Sequence, residues 1–67
     1  MPVGKARRGG YVFVWWRTDH PRRHVHVYRD GKLVVKWDLE NGRAMKGSAP
    51  RRVIVLIRKL DSEDLFS

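Results

Sequence analysis

The stretch His24-Val25-His26-Val27-Tyr28-Arg29-Asp30-Gly31-Lys32-Leu33-Val34-Val35-Lys36-Trp37-Asp38-Leu39 decides the fold. Residues 24–28 alternate imidazole or phenol with valine, and Leu33, Val35, Trp37 and Leu39 recur at every second position, the period of a half-buried strand. Asp30-Gly31 marks a hairpin turn between the two runs. A two-residue loop of Asp30-Gly31 alone would set His26 opposite Val35 and put the imidazoles on the apolar face of the neighbouring strand. A three-residue loop, Arg29-Asp30-Gly31, with Gly31 left-handed in a bulged turn, pairs Val27 with Leu33 and Val25 with Val35. That register is the expected one. It points Val25, Val27, Leu33, Val35 and Trp37 inward and leaves His24, His26, Tyr28, Lys32, Val34 and Lys36 on the other face.

Before this hairpin, Tyr11-Val12-Phe13-Val14-Trp15-Trp16 is aromatic or β-branched throughout and predicts a strand buried on at least part of both faces, ending at an Asp19-His20-Pro21 turn. Residues 1–10 carry Lys5, Arg7 and Arg8 among small residues and read as a flexible basic arm. After the hairpin, Asn41-Gly42 marks a turn, and residues 43–46 read as either a short fourth strand or a loop. Ser48-Ala49-Pro50 reads as an N-cap followed by a first-turn proline. It introduces Val53, Ile54, Ile57 and Leu60 at helical spacing, with Arg58 and Lys59 near the end. The run Val53-Ile54-Val55 also suits a strand, but the start signals favour helix. The expected fold is α+β: an antiparallel three- or four-stranded sheet with one C-terminal helix on its inner face, in a single domain over residues 11–65.

Sixty-seven residues make one domain with room for a shallow site only. With no cysteine, neither disulfides nor thiolate zinc can staple it, and nothing suggests an oxidising compartment. The longest apolar runs, Val12 to Trp16 and Val53 to Ile57, are far too short to span a bilayer. A signal-peptide core is also missing, so a soluble, cytoplasmic protein with no membrane partner is expected. The formal charge is +8, from 15 Lys+Arg against 7 Asp+Glu, and three of the acids (Asp61, Glu63, Asp64) fall in the last seven residues. Such a field concentrates polyanions at the surface, which makes nucleic acid the default partner and an acidic protein the other class admitted.

All three histidines, His20, His24 and His26, lie beside Arg22, Arg23 and Tyr28. His24 and His26, two apart on a strand, have the spacing to share a metal with His20 or Asp19, but the adjacent Arg22 and Arg23 repel a cation, so no metal or other cofactor is expected. Should the chain be an enzyme, these residues suit a metal-independent ribonuclease. An imidazole of His24 or His26 would act as general acid or base, with Arg22, Arg23 and Tyr28 stabilising the phosphodiester. Arg51 and Arg52 stand in the first helical turn, where the macrodipole disfavours cations, and with free backbone N–H groups they form a candidate phosphate contact. Lys36 shares the histidine face. Of Trp15, Trp16 and Trp37, one ring is expected to remain available for stacking, with Trp37 in the core.

The pattern Trp16-x-x-Asp19-His20-Pro21-x-x-His24-Val25-His26-Val27, a glycine turn, a strand ending in Asp38-Leu39, and Pro50-Arg51-Arg52 opening a helix resembles a small prokaryotic family catalogued as domain of unknown function 4160. The resemblance covers roughly residues 10 to 65. It implies a compact sheet-plus-helix fold and a place in toxin–antitoxin-type gene pairs. A weaker resemblance, through Asn41-Gly42-Arg43 and Ser48-Ala49-Pro50, is to the archaeal seven-kilodalton chromatin proteins, which implies minor-groove DNA binding. The expected function is nucleic-acid binding of toxin–antitoxin type, RNA preferred over DNA, through Arg22, Arg23, His24, His26, Tyr28, Lys36, Arg51 and Arg52. The alternative class is a small interaction protein that inhibits a host or phage factor.

Overall fold

The computed structural model describes residues 4–16 and 23–66. The Asp19-His20-Pro21 turn and Arg22 lie outside them. Five strands, β1 (Gly4–Arg8), β2 (Tyr11–Trp15), β3 (His24–Arg29), β4 (Lys32–Asp38) and β5 (Arg43–Gly47), are followed by one helix, α1 (Arg51–Ser62). Each strand pairs antiparallel with its neighbour in the chain, in the order β1-β2-β3-β4-β5. The fold is therefore α+β, with five strands where three or four were expected.

The additional strand arises where a mobile arm was expected. Gly4 and Ala6 turn to the core side opposite Trp15 and Phe13, while Lys5 and Arg7 alternate outward opposite Val14 and Val12. A Cβ on Gly4 would collide with the Trp15 indole, so the missing side chain is what lets the edge strand close over that ring. Small inward residues carry almost no hydrophobic signal, which hides a strand of this kind from a period-2 reading. Residues 43–47 settle as β5, bulged so that Trp37 pairs with Ala44 and Lys36 with Lys46, leaving Met45 over.

The central hairpin corrects the expected register. Arg29 pairs with Lys32 across a two-residue Asp30-Gly31 turn, with φ of 53° and 77° at the two positions, the left-handed pair that matches strand twist. A β-bulge then inserts Val34, so that Tyr28 faces Leu33 while Val27 faces Val35 and Val25 faces Trp37. The tight turn and the segregated faces are thus compatible, because one extra residue repairs the parity. Two positions trade places as a result: Leu33 is 39% exposed beside Tyr28, and Val34 packs against the core.

The core joins Tyr11, Phe13, Trp15, Val25, Val27, Val35 and Trp37 from the sheet to Val53, Ile57 and Leu60 from α1, as the helical spacing predicts. Ser48 does not cap α1. Pro50 is the cap residue (φ −59°, ψ 154°), its carbonyl accepts from Val53 and Ile54, and no side chain bonds the free N–H groups. The C-terminal end closes through the backbone: Leu65 N–H donates to the Leu60 carbonyl (3.2 Å) and Asp64 N–H to that of Asp61 (3.0 Å), with Asp64 left-handed at φ 60°. That reversal carries Phe66 back into the core, edge-on to Trp15 with centroids 5.0 Å apart.

Candidate nucleic-acid interface

With α1 covering one face of the sheet, no other described element covers the opposite face, and the alternation of β3 delivers His24, His26 and Tyr28 to it, half-buried. Trp16, just beyond β2, joins them. The rings form a continuous ladder. Trp16 stacks on His24 (6.3 Å, 29°) and meets His26 edge-on (4.5 Å, 86°), the two imidazoles lie 5.3 Å apart at 81°, and His26 stacks on Tyr28 (6.3 Å, 27°).

Cations flank this ladder on both sides. Strand register places Lys5, Val14, His26, Lys36 and Lys46 in one row across all five strands, and Arg7, Val12, Tyr28 and Leu33 in the next. Among the described residues no ion pair engages Lys5, Arg7, Lys36 or Lys46. Lys36 directly opposite Lys46 is a destabilising pairing that an anion would relieve. Asp38, paired with His24 across β3 and β4, is 2% exposed and bonded to the β4–β5 loop. Its carboxylate accepts from the backbone N–H groups of Glu40 (2.9 Å) and Asn41 (3.1 Å) and from the Asn41 side-chain amide (2.7 Å).

Burial first, then the neighbouring His24 and Lys36, hold the His26 imidazole below its ordinary value of 6.5. His26 is therefore neutral at physiological pH. Its Nδ1 is buried without a hydrogen-bond partner. A neutral imidazole beside a second one has the composition of a base and acid pair for phosphodiester chemistry, with Lys36 beside them as the cation.

Of the residues singled out from the sequence, His24, His26, Tyr28 and Lys36 are brought together. Arg23 is not with them. Its guanidinium lies 3.5 Å from the Asp61 carboxylate and donates to the Phe66 carbonyl at 3.1 Å, tying β3 to the end of α1. Arg51 and Arg52 are exposed on the helix, across the sheet from the ladder. The sequence assigns Lys5 and Arg7 to a basic arm and does not place Lys46 on this face, because their facing is set by the registers of β1 and β5. The small-charged alternation Gly4-Lys5-Ala6-Arg7 was the signal that could have found the first two. Among the described residues no three His, Asp or Glu side chains are placed to hold a metal, and no helix is long and apolar enough to cross a membrane.

The fold and this face define a small α+β domain with one helix-covered and one open, ring-lined and cationic sheet surface. Residues 9–63 match the family model described as Domain of unknown function (DUF4160), and the chain belongs to that family. No curated protein and no solved structure matches the chain.

Proposed function

We propose that this protein binds single-stranded nucleic acid, RNA in preference to DNA, on the open face of its sheet, as one member of a toxin–antitoxin-type pair. The observation that supports this most is the Trp16-His24-His26-Tyr28 ladder set between Lys5, Arg7, Lys36 and Lys46, none of which forms an ion pair among the described residues. Rings on a strand face offer stacking platforms to unpaired bases, and flanking lysines hold the backbone without reading sequence. A paired duplex hides its base faces, so single strands fit the ladder better. The toxin–antitoxin setting rests on the family resemblance together with the charge of +8, which favours an acidic protein as the neutralising partner.

Titration of labelled single-stranded and duplex RNA and single-stranded DNA at several salt concentrations tests this. Single strands are expected to bind more tightly than duplex, with log affinity falling against log salt at a slope of about −3 for roughly four phosphates contacted. Trp16→Ala is expected to weaken binding by about 1–3 kcal/mol. Absence of binding at low salt, or undiminished wild-type affinity in both Trp16→Ala and Lys36→Ala/Lys46→Ala, refutes the reading.

A further inference from the structure

His26 sits at the crossing of the two patterns on the open face, the ring ladder along β3 and the lysine row across the sheet. On its own strand it lies between His24 and Tyr28. From β2 it meets Trp16 and apolar Val14, and from β4 it is paired with Lys36, beyond which Lys46 of β5 continues the row, with Lys5 of β1 on the far side. Asp38, opposite His24, has its carboxylate occupied by the β4–β5 loop. Among the described residues, therefore, no strand partner of His26 is an acid.

The unpartnered Nδ1 makes this placement conditional on the proton. In the neutral ring, a tautomer with its hydrogen on Nε2 leaves at Nδ1 only a lone pair without a donor. Protonation adds a charged N–H at that buried atom, and an unsatisfied charged donor is far more costly than an unsatisfied acceptor. The cationic ring has to turn its Nδ1 toward the open face and find an acceptor there. The surrounding lysines offer none.

We propose that His26 is a proton-operated latch on the nucleic-acid face: neutral, it stays locked in the ladder; protonated, it swings Nδ1–H outward to a backbone phosphate and becomes a further cation in the Lys5, Lys36, Lys46 row. This rests on the proposed function and adds its regulation. Proton and phosphate then bind cooperatively, because each supplies what the other lacks, and by linkage the coupling is reciprocal. Affinity for a phosphodiester strand rises as the pH falls, by a factor of ten for each unit that the bound strand raises the imidazole's titration point.

The test uses the full chain, labelled with ¹⁵N, and two probes: inorganic phosphate and a single-stranded oligouridylate. The ring-nitrogen shifts of His26 are followed through its titration with and without each probe, and oligouridylate affinity is measured at constant salt at about pH 7.5 and about pH 5.5 for the wild type and for His26→Gln. The expected result is an Nε2–H neutral tautomer, a titration point raised by both probes, and an affinity gain of about tenfold or more on acidification that His26→Gln largely abolishes. A neutral tautomer protonated at Nδ1, or an equal affinity gain in His26→Gln, overturns the latch. Oligouridylate binding that is tight but indifferent to pH overturns the latch and spares the nucleic-acid reading. Failure of oligouridylate at every pH, with phosphate still raising the titration point, refutes the nucleic-acid reading and keeps the latch as an anion switch. Should His26→Gln fail to fold, the wild-type ring-nitrogen titration decides alone.

Discussion

At Gly4 a single absent carbon atom governs whether β1 lies on the sheet, because the Trp15 indole occupies the space a side chain would take. Gly4→Val is expected to lift β1 from β2 and to cost about 1–3 kcal/mol by overpacking. Amide exchange of Lys5 to Arg8 would report the loss, and unchanged protection would show that the ring moves instead. His26 makes the complementary case, in which a present side chain carries an unmet need. Its neutral form is favoured in the fold, so the unfolded chain takes up a proton near 6.5 while the native state still resists it. Folding stability from this group is complete above about 6.5 and declines as the pH falls from there toward the lowered native value. Urea midpoints at about pH 7.5 and about pH 5.5 should drop further for the wild type than for His26→Gln. Equal drops would mean that other groups set the acid sensitivity.

Regular elements were legible in the sequence wherever a large side chain repeats, and failed to show where it does not. β2, β3, β4 and α1 declare themselves through valines, aromatics and a helical stripe; period 2 puts His24, His26 and Tyr28 on one face, and matching the apolar faces of the hairpin adds Lys36. β1 stayed hidden behind Gly4 and Ala6. The hairpin departs from its expected register for a subtler reason: period-2 logic treats a tight turn and a parity conflict as exclusive, whereas the extra Val34 absorbs the conflict at the level of the backbone. Ser48 carried a cap signal, yet Pro50 takes the cap position, which leaves the N-terminal turn of α1 with two arginines, no acid and no side-chain cap. Arg51→Glu is therefore expected to raise stability by about 0.3–1 kcal/mol through the helix dipole. Chemical denaturation measures it. Should Arg51 also touch nucleic acid, as the sequence suggested, the same variant will bind more weakly while folding better, and unaltered binding would remove Arg51 from the interface.

On the scale of the whole molecule, a chain of this size commands a stability of only about 3–10 kcal/mol. Trp37→Ala, which empties a core site on β4 that is 8% exposed, is expected to cost about 3–5 kcal/mol and to leave much of the population unfolded at 37 °C. A circular-dichroism melt decides it, and a cost below about 1 kcal/mol would show that the helix collapses onto the gap. The strictly sequential order of the sheet has a kinetic consequence. Because every ladder joins chain neighbours, assembly never waits for distant segments to meet, and only the return of α1 across the sheet closes a long loop. Refolding from denaturant should thus be rapid for a sheet protein, a single exponential in the millisecond range or faster, with the β3–β4 hairpin set early by its left-handed turn and the helix docking late. Substitutions on α1, such as Ile57→Val, should then act mainly by hastening unfolding, so that the buried seam under the helix governs how long a folded molecule lasts more than how quickly one forms.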